Sequence, residues 1–212
     1  METKDFLITN GKLVKFQAEV AENGYYSVTI PEGVHTIGAE AFRNRDDLAE
    51  VILPKHVKKI GKEAFAGCQY LSNVIIQKGV TDIGEYAFNF CESLEHISLP
   101  ESIENIGKSA FSACRGLVTI NFADKIKINT IRDSVFFKCG QLRTIEIPKN
   151  VSSIGKEAFA YCYNLKRVTI PKSVVSIGKD AFHECRGLKI QAPKRSDAEA
   201  YAMKNKIDYE AV

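Results

Sequence analysis

The sequence contains no tryptophan and only 2 methionines, and no uninterrupted apolar run reaches the about 18 residues that a membrane-spanning helix needs. Its start, Met1-Glu2-Thr3-Lys4-Asp5, is charged and mixed, without the basic stretch and apolar core of a secretion signal. On that ground the expected location is the cytoplasm, with a secreted or cell-surface location as the alternative if a signal was trimmed. A strong charge imbalance is also missing. The net charge is +3, whereas nucleic-acid binders carry a far more basic face, so nucleic acid is not an expected partner. Catalytic signatures are absent too: there is no G-x-S-x-G, H-E-x-x-H, phosphate-binding loop or G-x-G-x-x-G. His35, His56, His96 and His183 are scattered singly. No enzyme activity, cofactor or metal is expected.

What is present is a repeat, the feature that decides the fold. Phe follows Ala at Phe42, Phe65, Phe88, Phe111, Phe159 and Phe182, and follows Val at Phe136. Successive spacings are 23, 23, 23, 25, 23 and 23 residues. Three residues after each Phe stands Cys68, Cys91, Cys114, Cys139, Cys162 or Cys185, with Arg45 in the first copy. Six residues after each Phe stands a Leu, from Leu48 to Leu188. An alternating segment follows, for example Val51 and Leu53, or Val168 and Ile170. Alternation over a few residues marks a short strand buried on one face. Pro often ends it, as at Pro54, Pro100, Pro148 and Pro171, and then comes Val-x-x-Ile-Gly. The polar-Ala-Phe stretch beyond predicts a helical or 3₁₀ turn, and the recurring glycines are read as demanded by the repeat turn. Such a unit cannot bury its apolar face alone; stacked copies make the core continuous.

The run Ile60-Gly-Lys-Glu-Ala-Phe-Ala-Gly-Cys68 followed by Leu71 to Ile76, and its counterpart Ile154 to Cys162 followed by Leu165 to Pro171, resembles the BspA-like class of leucine-rich repeats. The resemblance spans roughly residues 25–190. It implies an α/β repeat solenoid, a right-handed curved stack with a parallel concave β-sheet and short helical or 3₁₀ returns on the convex side. Members are often bacterial surface proteins, some of them adhesin-like.

The expected organisation is a single domain with three regions. Residues 1–24 form an N-terminal cap hairpin, with turns at Asn10-Gly11 and Asn23-Gly24. Residues 25–190 form about seven repeats, with Tyr25 at the first Leu position. Residues 191–212 form a C-terminal cap helix and strand, the helix opened by a Ser196–Glu199 capping box. One unit departs from the pattern: near residues 124–134 it is two residues longer and has Arg132 where Gly is usual. The extra length is expected to bulge outward.

The six Cys stand one per repeat, without C-x₂-C pairs, and parallel side-chain vectors disfavour disulfides. They read as a buried column of reduced thiols, which favours a reducing compartment. Glu95 and His96, being adjacent on a strand, are expected on opposite faces, apart from distortions at the strand start.

Function is expected on the concave strands, where positions vary between copies while core positions recur. The candidates are Glu50, Ile52, Asn73, Ile75, Glu95, His96, Ser98, Thr119, Asn121, Arg143, Thr144, Glu146, Lys166, Arg167 and Thr169. Ile52 and Ile75 form an apolar pair, and Arg143, Lys166 and Arg167 a basic end. The expected role is a monomeric scaffold binding a protein or peptide. A glycan-binding or adhesin-type surface module is the alternative, weakened by the scarcity of aromatics on those strands.

Overall fold

The computed structural model describes residues 3–19 and 24–212. The turn expected at Asn23 lies outside the described residues. The chain opens with an antiparallel hairpin of β1 (Phe6–Thr9) and β2 (Lys12–Phe16), turned by Asn10 and Gly11 with φ of 50° and 71°. Each coil then adds one long and one short strand. In chain order these are β3 (Tyr26–Thr29) and β4 (Thr36–Ile37), β5 (Leu48–Ile52) and β6 (Lys59–Ile60), β7 (Asn73–Ile75) and β8 (Asp82–Ile83), β9 (His96–Leu99) and β10 (Asn105–Ile106), β11 (Thr119–Phe122) and β12 (Thr130–Ile131), β13 (Thr144–Glu146) and β14 (Ser153–Ile154), and β15 (Arg167–Thr169) and β16 (Ser176–Ile177). β17 (Lys189–Ala192), helix α1 (Asp197–Lys204) and β18 (Asp208–Ala211) follow.

The coils stack as a parallel β-solenoid. The long strands pair as β3-β5-β7, β9-β11 and β13-β15-β17-β18, and the short ones as β2-β4-β6-β8-β10 and β12-β14-β16. Tyr26 rather than Tyr25 pairs with Leu48, because the register slips between Tyr26 and Ser27. Tyr25 is left exposed against Tyr70, with ring centroids 5.2 Å apart.

The expected helical returns are not formed; among the described residues the helices are α1 and one 3₁₀ turn at Thr3–Asp5. Alternate N–H groups of each return arm leave the coil. Glu63, Phe65 and Gly67 donate to the carbonyls of Glu85, Ala87 and Asn89 at 2.8–2.9 Å. Ala64, Ala66 and Cys68 close β-turns onto Gly61, Glu63 and Phe65. A helix would need all of these N–H groups within one coil. The arm is therefore a third parallel ladder. Its chain of turns places two residues per arm in the left-handed region, such as Tyr86 and Phe90 with φ of 55° and 60°.

The Phe column forms the centre of the core. Phe16, Phe42, Phe65, Phe88, Phe111, Phe136, Phe159 and Phe182 stack with centroid steps of 4.9–5.7 Å. Tyr201 of α1 meets Phe182 edge-on at 5.9 Å, and Phe6 packs on Phe16 at 5.3 Å. Ser196 caps α1 by accepting the Glu199 N–H at 3.2 Å, and buried Ala198 and Ala202 seat the helix over the last coil.

The recurring glycines have a different cause from the one expected. Gly61, Gly84, Gly107, Gly155 and Gly178 are not among the positive-φ residues. A Cβ on Gly84 would lie 2.6 Å from the carbonyl carbon of Gly61 and the nitrogen of Lys62. Close approach of successive backbones, not turn geometry, excludes a side chain. Arg132 takes this position where the short-strand ladder stops, between β10 and β12. The longer unit also carries an additional core side chain: Ile128 is buried, and its carbonyl accepts from Asn150 Nδ2 at 2.5 Å.

Each thiol is buried and donates to the Phe carbonyl of the preceding coil, from Cys68 on Phe42 at 3.0 Å to Cys185 on Phe159 at 3.1 Å. The first coil has Arg45 instead. Its guanidinium holds both carboxylate oxygens of Asp47, at 2.8 and 2.7 Å, donates to the Ala18 carbonyl and lies 4.6 Å from the Phe16 ring centroid. Burial pushes the Cys114 thiol up to about 12. Only the thiolate is reactive, so burial and a raised pKa both disfavour reaction of these cysteines in the folded chain. A thiol reagent such as Ellman's should label none of the six in the native protein and all of them in urea; rapid native labelling would disprove the sealed column.

Candidate interaction face

Alternation within each long strand decides which side chains face solvent. Val51, Val74, Ile97, Ile120, Ile145 and Val168 point into the core, and their neighbours point out. Parallel pairing then aligns the outward side chains in rows one coil apart.

Ser27, Glu50 and Asn73 share a row, and Glu50 accepts from Ser27 Oγ at 2.7 Å and from Asn73 Nδ2 at 2.6 Å. Thr29, Ile52 and Ile75 form the parallel row, with Ile75 40% exposed and Ile52 half-buried. In the next pair, His96 Nδ1 meets Thr119 Oγ1 at 2.7 Å, and Ser98 lies opposite Asn121. Glu95 stands just before β9, at the strand start where alternation is distorted; both it and His96 are exposed, with His96 Nε2 3.9 Å from a Glu95 carboxylate oxygen.

At the far end Thr144, Arg167, Lys189 and Asp208 share one row, and Glu146, Thr169, Gln191 and Glu210 the next. Arg143, Arg167 and Lys166 are exposed, and Lys166 Nζ donates to the Arg186 carbonyl at 2.8 Å. The sequence pattern missed Lys189 and the carboxylates of β18, because β17 and β18 fall beyond the last complete repeat. Glu210 answers some of the charge at the basic end: a hydrogen bond from Gln191, then the charge of Lys189, holds its carboxyl below the usual range.

The rows do not run unbroken. The long-strand ladder stops between β7 and β9 and again between β11 and β13. The second break coincides with the longer unit, where the widest Phe step, 5.7 Å, also falls. A groove of about 740 Å³ opens there. It is lined by Thr119, Asn121, Thr144, Glu146 and Thr169 together with Phe122, Pro148 and Pro171. The structure thus gathers five candidate residues around one groove. Glu50, Ile52, Asn73, Ile75, Glu95, His96 and Ser98 lie toward the N-terminal end of the same face, and Arg143, Lys166 and Arg167 do not line the groove. Sequence reasoning did not foresee the groove, which opens beside the unit that carries the two extra residues. It also passed over the aromatic side chains Phe137, Tyr161 and Tyr163, which cluster on the return arms.

Among the described residues no group of three or more His, Cys, Asp or Glu is placed to hold a metal ion, and no helix is long and apolar enough to cross a membrane.

Comparison with known proteins gives a consistent picture. A family model described as the BspA type leucine-rich repeat region matches residues 21–139 and 129–206, with 6 copies. No curated protein matches the chain. A leucine-rich repeat protein from T. pallidum shares the fold, with TM-score 0.72, 23% identity, and 100% of this chain and 97% of that one covered. A leucine-rich cell surface protein from Faecalibacterium prausnitzii is 28% identical with TM-score 0.58; the match covers 83% of this chain but spans only 62% of that protein. The pneumococcal vaccine antigen PcpA shares the fold at 24% identity and TM-score 0.57, over 92% of this chain and 50% of its own.

Proposed function

From its membership of the BspA-type leucine-rich-repeat family, we propose that this chain is a protein-interaction scaffold that takes a protein or extended peptide on its long-strand face, read as the concave side. The groove between β11 and β13 carries this reading. It mixes polar and apolar lining in equal measure and lies across three successive long strands. Hydroxyl, amide and carboxylate groups at a fixed coil-to-coil pitch suit the regular spacing of an extended backbone. At this step the return-arm ladder, with Ser109, Phe111 and Ala113 donating to Asp133, Val135 and Phe137, and the continuous core hold the flanking coils together, which limits the ordering entropy lost on binding. The exposed cations Arg143 and Arg167 flank one end and favour an acidic partner segment there.

A cell-surface location belongs to the same reading. It is supported by the likeness to the Faecalibacterium cell surface protein, and the sealed thiols are compatible with it. The comparisons lend no support to the cytoplasmic placement expected from the sequence.

The test is affinity capture of extracellular and lysate proteins by the wild-type chain, followed by measured affinity for any captured partner. Replacing Asn121 and Thr144 by Arg should weaken binding at least about tenfold, since central interface contacts each carry roughly 1–3 kcal/mol. The paired change Ile75→Asp and Arg167→Glu probes the two ends of the same face. A partner that binds both variants as it binds wild type removes the assignment to this face.

A further inference from the structure

The position four residues after each Phe opens the turn from the return arm into the long strand. It holds Asp46, Gln69, Glu92, Arg115, Tyr163 and Arg186 in six coils, and Gly140 in the seventh. Nothing in the backbone requires glycine there. Gly140 is not among the positive-φ residues, and a Cβ on it would meet only the Arg115 carbonyl oxygen at 3.9 Å and Tyr163 Cδ2 at 4.0 Å, which are ordinary contacts. This sets it apart from Gly84 and its column. The missing side chain leaves a slot of about 440 Å³ between Arg115 and Tyr163. Two coil steps of roughly 4.8 Å separate these walls, enough for one sugar ring.

The walls differ in chemistry. The Tyr163 ring is 46% exposed, with the Arg186 guanidinium 5.9 Å from its centroid and Tyr161 edge-on at 6.1 Å. At the rim, Lys138 Nζ lies 5.2 Å from the Phe137 ring centroid and 5.9 Å from that of Tyr161, and no carboxylate pairs with it among the described residues. Arg115 is only loosely held by Glu92, at 3.5 Å, and its side chain is 60% exposed. Asn164 Nδ2 donates to Gln141 Oε1 at 3.2 Å, which fixes the two amides side by side. The Gln141 amide N–H groups and the Asn164 carbonyl oxygen remain for a ligand.

We propose that the slot over Gly140 binds a carboxylated sugar residue. A pyranose ring supplies an apolar C–H face for Tyr163, hydroxyls for the paired amides, and a carboxylate for Lys138 and Arg115. A neutral sugar leaves both cations unanswered. An acidic peptide answers the cations but offers no array of hydroxyls to the amides. The site lies on the return-arm edge and is independent of the groove between β11 and β13.

The test is calorimetric titration of the whole chain with N-acetylneuraminyl-lactose and a hyaluronan tetrasaccharide, with lactose and a glutamate-rich peptide as comparisons. A carboxylated saccharide should bind about tenfold or more tighter than lactose or the peptide. Gly140→Gln, which fills the slot, and Tyr163→Leu, which removes its aromatic wall, should each lower affinity about tenfold with the urea midpoint unchanged. The proposal is overturned if neither saccharide binds at millimolar concentration, if lactose or the peptide binds as tightly, or if either variant keeps wild-type affinity while folded.

Discussion

Stability toward urea should fall increasingly steeply above pH 9, approaching about 8 kcal/mol per pH unit near pH 10, as the unfolded chain sheds six thiol protons that the folded chain keeps. Burial raises Cys68, Cys114 and Cys185 from 9.0 to about 12, and holds Cys91, Cys139 and Cys162 well above 9.0. For an acid raised on folding, the stabilising contribution is intact below the unfolded value and is lost as pH climbs toward the folded one. The window here runs from 9.0 to about 12. Each thiol contributes a slope of about 1.4 kcal/mol per pH unit, so six act together. Native domains have about 5–15 kcal/mol to lose, so the loss is large enough to measure in a urea titration. Lysines and tyrosines titrate in the same range, so the decisive measurement is comparative. Replacing Cys91, Cys114 and Cys139 by Ala should halve the thiol contribution to the slope between pH 9 and 10. An identical slope in wild type and variant would refute the sealed column.

Gly84→Val should cost about 3 kcal/mol or more, at the upper end of overpacking penalties. The new Cβ would fall 2.6 Å from two backbone atoms of the neighbouring coil, and backbone cannot swing aside as a side chain can. The coils must separate, which strains the Gly84 N–H bond to the Ile60 carbonyl, now 2.8 Å, and the pairing of β6 with β8. Unfolding in a stacked array spreads through neighbour interfaces, so the loss extends beyond one coil. The urea midpoint measures it. Arg132→Gly is the control, expected to change stability by about 0.5 kcal/mol or less, because the ladder is already broken at that coil. Equal costs for the two substitutions would show that close coil contact is not what the column protects.

The sequence by itself determined the solenoid, its 23-residue pitch and the identity of the core. Recurrence at one spacing is a one-dimensional signal, and only stacked copies can bury a Phe, a Cys and a Leu repeated in that way. Which residues face out within the strands was likewise legible, because alternation has a period of two; it failed only at strand starts, at Tyr25 and at Glu95 beside His96. Contacts between coils were not legible, since they join residues about 23 positions apart whose backbone geometry no local pattern encodes. The return arms looked helical because Ala-Phe stretches suit a turn of helix. Their alternate N–H groups are instead drawn to the next coil's carbonyls, which exist only after stacking. The column glycines looked like turn residues for the same reason; their necessity lies in an approach of two backbones. The groove follows from this as well. Two extra residues are visible in the chain, but whether they loop out or push neighbouring ladders apart depends on how the flanking coils register, and only the tertiary structure decides that.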